Sequence, residues 1–530
     1  MKKNRSLVAK GLSLSFLTLC SRILGLVREM TKAHFLGTSA LSDAFGIAFQ
    51  VPNFCRRLFA ENSVSVAFIP TFKKYLTEME DEGSREKTQE FISATFTLVT
   101  FLTVLFVSLG MVFTPLILRL FFNEAYQEAM SESVILTRIM FPYLVVISIA
   151  AFFQGILNGH KIFSPSGFTP ILFNAIVIAA TYLLSPYTAN PARAMAIGVI
   201  TGGCIQAAFQ LPFVLKNGWR ISFTSLRKAF TNPGTKTVLK LIGPTVIGMA
   251  AYQLNDIVSS ALATRTGEGV YSSIQYSLRL QELILGICAV TIGTVILPDL
   301  TGFAQKKQWK DFCNMLTLAI KIMAVIAIPI TFYSFIMKKH LITLVFASGR
   351  FNDNSIKLTE SVFSFHIIGL FFIAVNRITA PAFYAQQDTK SPTVAGLVNF
   401  AVNIVAALLL SRVLGGGGIA LALTIASIVN LLLLFAFLGR NPVIDVGTVI
   451  KPSILYILKI ILFSAIASVP VYLLKDKIIA LCAGRSRQIS QGVPVCITAA
   501  LFGIAGLVLL IASRDSLLAA ISHKLRKPKQ

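Results

Sequence analysis

Charge is scarce in this chain. Only 13% of its 530 residues are Asp, Glu, Lys or Arg, about half the share of a soluble domain, and no hydrophilic block is long enough to fold as one. Histidine (5) and tryptophan (2) are rare. The seven cysteines (Cys20, Cys55, Cys204, Cys288, Cys313, Cys482 and Cys496) make no Cys-x-x-Cys pair or metal-ligand spacing. Most lie in apolar runs, which reads as small packing residues rather than a disulfide or metal framework. No Gly-Lys dipeptide occurs, so there is no P-loop, and neither His-Glu-x-x-His nor Gly-x-Ser-x-Gly is present. His34, His160, His340 and His366 are isolated. These absences point away from primary pumps, zinc peptidases and serine hydrolases, and the chain reads as a non-enzyme with no cofactor-binding motif.

What is present is apolar. Hydrophobic residues make up 55% of the chain and mean hydropathy is +0.73, the signature of an all-α integral membrane protein, since only helices satisfy their own backbone in runs of this length. Candidate spans fall near residues 9–27, 41–69, 91–121, 134–157, 168–184 and 194–215. A second set lies near 241–263, 271–300, 313–336, 362–386, 392–411 and 418–438, and two more near 453–474 and 492–513, giving about fourteen helices. The expected organisation is a six-helix lobe over 1–220, a basic cytoplasmic connector over 221–240, a second six-helix lobe over 241–440, and helices 13 and 14 with a basic tail over 441–530. The N-terminus has the basic start and apolar centre of a signal peptide without a small-residue cleavage site, and reads as a retained first helix.

The net charge of +25 does not suggest nucleic acid, because Lys and Arg are spread over short loops rather than one basic face. An even number of spans puts both termini on one side. Lys2, Lys3, Arg5, Lys10, Lys73, Lys74, the connector, Lys306, Lys307, Lys310 and the tail HKLRKPKQ all fall on that side, which is cytoplasmic by the positive-inside rule. The Gly415–Gly418 run opposite reads as a flexible loop, and Glu78, Glu80, Asp81 and Glu82 as a solvated one.

The two six-helix sets are pseudo-symmetric. An offset of 228 residues aligns Leu24–Pro70 with Tyr252–Pro298 without a gap, and both stretches end in an apolar-Pro turn. Parallel repeats of this kind occur in transporters whose halves rock about a midplane site. The charges do not follow the repeat: Arg28 meets Asp256 and Asp43 meets Tyr271. Ionised side chains at the centre of a span cost about 2.5–3.5 kcal/mol each. Arg22, Arg28, Glu29, Asp43, Arg56, Arg57 and Glu61 therefore imply a wet, mutually compensating interior, joined by Arg279, Glu282 and Arg377 from later spans. Guanidinium forks suit a polyanion such as pyrophosphate, with Glu29 and Asp43 orienting them. Arg22 and Arg28, six apart, need not face one ligand.

Ser21-Arg22-Ile-Leu-Gly-Leu-Val-Arg28-Glu29, then Asp43-Ala-Phe, then Pro52-Asn53 followed by Arg56-Arg57-Leu-Phe-Ala-Glu61, resembles the N-terminal signature of the MurJ/MviN lipid II flippases of the MOP transporter superfamily. Ala380-Pro381-Ala-Phe383-Tyr384-Ala-Gln-Gln-Asp388-Thr389-Lys-Ser-Pro392 is similar to their second signature, and the resemblance spans essentially the whole chain. It implies a bacterial inner-membrane protein of peptidoglycan biosynthesis, moving the undecaprenyl-pyrophosphate-linked disaccharide peptide, with membrane lipid as its medium and cell-wall synthesis proteins as candidate partners. By the same resemblance Arg22, Arg28, Asp43, Arg56 and Arg279 match charged cavity positions, Glu282 a further acidic one, and helices 13 and 14 a groove for the lipid tail. Some relatives hold sodium between helices 7, 11 and 12, where this chain has Asp256, Asn399, Asn403 and Thr424, oxygen ligands suited to a hard cation. Two departures stand out. Glu29 replaces the usual aspartate, and the proline expected after Glu282 is missing, which predicts a straighter eighth helix.

The expected mechanism is alternating access with an Arg-rich cavity holding the diphosphate. The rival readings are a flippase for another lipid-linked oligosaccharide, a MATE-like exporter, and a non-transporting scaffold for envelope assembly.

Overall fold

A computed structural model describes residues 2–57, 67–82, 85–122, 126–291, 297–515, 517 and 518. Glu61 and the tail HKLRKPKQ lie outside the described residues. Two compact units divide the chain: residues up to Ser272 with Ser348–Phe351 form one, and Ser273–Ala347 with Asn352 onward form the other.

The first unit holds α1 (Lys2–Leu36), α2 (Ala40–Cys55), α3 (Ile69–Glu82), α4 (Arg85–Leu118), α5 (Gln127–Met140), α6 (Tyr143–Gly159), α7 (Ser164–Leu184), α8 (Pro191–Lys216), α9 (Leu226–Thr231), α10 (Pro233–Thr266) and the start of α11 (Val270–Thr291). The second continues with α12 (Leu297–Gln305), α13 (Trp309–Phe346), α14 (Asp353–Ile368), α15 (Leu370–Ala385), α16 (Lys390–Leu414), α17 (Gly416–Leu438), α18 (Val446–Leu481) and α19 (Val493–Ala512). Among the described residues, nine helical stretches are long and apolar enough to cross a membrane, and α14–α15, bent by 43°, makes a tenth. The remaining four expected spans fall on α1, α2, α10 and α11, and the chain after α2 and after α11 runs into residues outside the description. These four carry most of the intramembrane charge.

Two local expectations are corrected. The Gly415–Gly418 run is not a flexible loop: Gly415 makes one left-handed turn at φ 57°, and α17 starts at the next residue. Gly418 has to be glycine there, because a Cβ would lie 2.2 Å from the Leu410 carbonyl oxygen. The acidic cluster Glu78–Glu82 forms the last turns of α3, with Lys74 3.7 Å from Glu78 at i, i+4. Asn232-Pro233-Gly234 starts α10, the Asn232 side chain accepting from the amides of Gly234 (2.9 Å) and Thr235 (3.3 Å). Of the described cysteines, Cys55, Cys313 and Cys482 are buried as packing residues, whereas Cys204 and Cys496 are exposed on spans.

At one end of the first unit the buried Trp219 joins three elements. Its Nε1 donates to His160 Nε2 at 2.7 Å, Arg85 lies 4.8 Å over its ring, and Phe72 meets both rings edge-on. Accepting that bond requires His160 to be neutral, and burial first, then the Arg85 charge, hold its pKa below 6.5. The unfolded chain therefore takes up the proton at a higher pH than the folded one. The contribution is complete above about pH 6.5 and declines as pH falls towards the lowered folded value. Thermal unfolding of the detergent-solubilised protein should show a Tm that falls between pH 8 and pH 5, with a shallower fall for His160→Gln.

Candidate functional site

The charges of α1 are organised by helical spacing. Arg28, Glu29 and Lys32 stand at i, i+1 and i+4, so the first and last share a face. The Arg28 Nη2 donates to Glu29 Oε1 at 2.8 Å, and the guanidinium lies 5.9 Å from the ring centroids of Phe49 and Phe173. Both side chains are largely shielded, at 21% and 17% accessibility. Glu29 therefore holds the Arg28 guanidinium. Lys32, absent from the sequence expectation, is 5% exposed and lies in the field of Glu29, Asp43 and Arg28. Its spacing from Arg28 and Glu29 is the signal the sequence offers. Arg22 is exposed, unlike Arg28, in keeping with their positions around the helix. Asn174 of α7 donates to the Ser21 carbonyl (3.4 Å), helping to fix this stretch.

Asp43 on α2 does something else. Its carboxylate accepts from the amides of Gly269 (2.7 Å) and Ser272 (2.8 Å) and from the Ser272 hydroxyl (2.6 Å), capping the N-terminus of α11. In return Glu268 accepts from the amide of Ala40, the first residue of α2, at 2.9 Å. Ala40 and Glu268 are separated by 228 residues, so the offset found in the sequence brings two equivalent helix starts together. The approach is close: a Cβ on Gly46 would lie 2.3 Å from the Tyr271 ring, and one on Gly269, at φ +76°, 2.4 Å from the Thr38 carbonyl oxygen.

Further along the chain, Arg56 Nε donates to Asn53 Oδ1 at 2.8 Å. Arg57 Nη1 reaches Gln253 Oε1 (3.4 Å) and Asp256 Oδ2 (3.5 Å) on α10, while Gln50 donates to the Asp256 carbonyl (3.3 Å). Gln50 and Gln253 are further residues that the sequence does not single out; an isolated amide in an apolar run gives little signal. Between residues 22 and 57, Arg22, Arg28, Lys32, Arg56 and Arg57 outnumber Glu29 and Asp43, and with Asp256 opposite Arg57 the formal excess is two positive charges.

In the second unit Arg279 Nη1 pairs with Glu282 Oε2 at 3.0 Å, within the continuous helix α11. Arg377 is exposed on α15 beside Asn376, which donates to the Ser427 carbonyl at 2.8 Å. Asn403 and Thr424 are buried, and the Thr424 hydroxyl donates to the Phe365 carbonyl (3.0 Å). Of the candidate sodium ligands, Asp256 belongs to the first unit and Asn399, Asn403 and Thr424 to the second. The signature Ala380–Pro392 builds the α15–α16 turn, where Gln387 is left-handed (φ 61°) and Asp388 accepts from the amides of Lys390 (2.9 Å) and Ser391 (3.0 Å).

Ten described apolar spans, together with charged helices that pair and cap inside the bundle, define a multi-pass helical membrane transporter fold. The chain superposes on an inward-facing MATE-family multidrug transporter of the MOP superfamily with TM-score 0.65, covering 81% of this chain and 96% of that one at 14% identity, a likeness of fold alone. It superposes on a solved structure described as lipid II flippase MurJ, inward closed conformation, with TM-score 0.77 and 25% identity, over 95% and 99% of the two chains. A Treponema pallidum protein named probable lipid II flippase MurJ is 45% identical over 97% of each chain. The Burkholderia cenocepacia lipid II flippase MurJ is 31% identical over 81% of this chain and 83% of its own. The family described as Lipid II flippase MurJ matches residues 32–481. The chain belongs to that family, which is one of transporters and not of enzymes.

Proposed function

We propose that this chain moves lipid II across the bacterial inner membrane by alternating access, with both termini in the cytoplasm, and that Arg28, Lys32 and Arg56 receive its diphosphate. The observation that carries this reading is the match to relatives of that name over nearly the whole chain. The chemistry agrees with it. The first unit carries formal positive excess within its spans, and Arg28 is held by Glu29 and two aromatic rings rather than left to reorient. Diphosphate oxygens bind guanidinium in a bidentate way, and the guanidinium keeps its charge at any accessible pH. An exporter of cationic drugs would need the opposite balance. Release on the far side must reverse whatever affinity captured the head group, so the cycle needs a gradient or removal of the product.

Complementation tests the reading: a strain depleted of its own lipid II flippase should grow when this chain is expressed, and labelled precursor should become accessible in the outer leaflet. Rescue without precursor translocation would favour the scaffold reading. Sodium coupling requires Asp256 to exchange Arg57 for the ion. A sodium-dependent rate that disappears in Asp256→Asn, with rate measured in sodium and in potassium, is the outcome that would add the ion to the cycle.

A further inference from the structure

We propose that residues 220–231 are an amphipathic strap that lies on the membrane surface and binds acidic phospholipid of the adjoining leaflet. The sequence presents this stretch as a basic loop, but the structure fastens it along α4. Gln89 donates to the Arg220 carbonyl (2.7 Å) and accepts from its amide (3.0 Å), Ser93 and Ser222 share a hydroxyl bond (3.0 Å), and the Thr224 amide donates to Thr97 Oγ1 (2.9 Å). Four residues of helix rise about 6 Å and two residues of extended chain about 6.6 Å, so every second strap residue meets every fourth residue of α4. The polar side of the strap is therefore taken up by protein. Its other side presents Phe223 (68% exposed), Leu226 (43%) and Phe230 (40%).

The depth of the strap follows from α4. Its exposed apolar side chains begin at Phe101 and continue to Leu116, with Leu120 just beyond the helix. From Phe101 to the end of α4 at Leu118 is about 27 Å of helix, close to the thickness of a hydrocarbon core. The earlier turns of α4, which carry the strap, consequently lie at headgroup level. Phe230 meets Phe101 edge-on at 6.3 Å, placing α9 at the hydrocarbon boundary. Arg227 and Lys228 on α9 are exposed, as are Lys216, Arg220, Lys236 and Lys240 on either side of it in sequence, and no Asp or Glu occurs between Lys216 and Lys240. Apolar side chains at the boundary with a wholly cationic rim match a leaflet of acidic phospholipid, each cation near such a surface contributing about fivefold in affinity.

The test uses the full chain in lipid nanodiscs. With the parent signal subtracted, the indole introduced by Phe223→Trp should be quenched by phospholipid brominated on its acyl chains and protected from aqueous iodide. Native mass spectrometry should show phosphatidylglycerol retained over phosphatidylcholine, with retention lowered about tenfold or more by Arg227→Gln with Lys228→Gln. Iodide quenching without bromolipid quenching would mean that water or a soluble partner covers this face, and would overturn the proposal. Equal retention of the two lipids, or no change in the double variant, would overturn the acidic-lipid assignment. All these substitutions are on exposed side chains, and an unchanged elution profile and Tm separate lipid binding from misfolding.

Discussion

Alanine at both Arg28 and Arg56 is expected to abolish growth rescue of a flippase-depleted strain, while the protein accumulates to near-normal levels. A charge-assisted hydrogen bond contributes about 1.5–3 kcal/mol. Losing two towards one diphosphate therefore weakens capture by about 100-fold or more, enough to take transport below what growth requires. Arg28→Ala leaves Glu29 as an acid beside Lys32 without its guanidinium partner, so the local field turns against an anion as well as losing a donor. Arg28→Lys should be intermediate, because an ammonium keeps the charge but not the planar fork that satisfies Glu29 and a phosphate together. Rescue by the double alanine variant at wild-type level would remove these residues from the diphosphate site. Immunoblots of the membrane fraction distinguish failed transport from failed folding.

The residues differ in how far the sequence alone reveals them. Apolar runs make the spans legible, and the charges that interrupt those runs mark α1, α2 and α11. Arg28 and Glu29 are legible because ionised neighbours in an apolar helix must answer one another. Lys32 stands one turn on from Arg28 but carries no bidentate fork, so its burial, which only the fold supplies, is what singles it out. The bend at Gly369 has no such signal: no proline marks it. The break is tolerated because side chains remote in sequence take up the released carbonyls. Thr424 bonds to the Phe365 oxygen, Gln281 to that of His366 (2.5 Å) and Thr331 to that of Ile367 (3.2 Å). The strap on α4 is hidden for the same reason, its partners Gln89, Ser93 and Thr97 lying about 130 residues away. Periodicity reports which face a residue occupies, whereas these bonds depend on which element stands opposite.

Asp43 is the sharpest instance, and its replacement should give the second large effect. Charge in an apolar segment makes it a candidate ligand for substrate or a partner for arginine. In the fold it is 4% exposed, with both oxygens engaged by the start of α11. Asp43→Ala would leave the Gly269 and Ser272 amides without that acceptor in a buried setting, at about 1–3 kcal/mol each. It would also remove a carboxylate from a helix N-terminus, a further loss of up to about 2 kcal/mol. Against a total stability of about 5–15 kcal/mol, that is a large fraction. The expected result is a Tm lowered by several degrees or more in detergent and reduced accumulation in membranes. Asp43→Asn keeps one acceptor for Ser272 but turns an NH2 towards the Gly269 amide, so its Tm should fall between alanine and wild type. The reciprocal contact is exposed, so Glu268→Gln, which keeps an acceptor for the Ala40 amide, should cost under about 1 kcal/mol. The ordering Glu268→Gln, Asp43→Asn, Asp43→Ala, from mild to severe in both Tm and rescue, is what a helix-capping role requires. Full thermal stability with lost transport in Asp43→Asn would instead return this carboxylate to the substrate site, because only a group in contact with the cargo would lose function without loosening the fold.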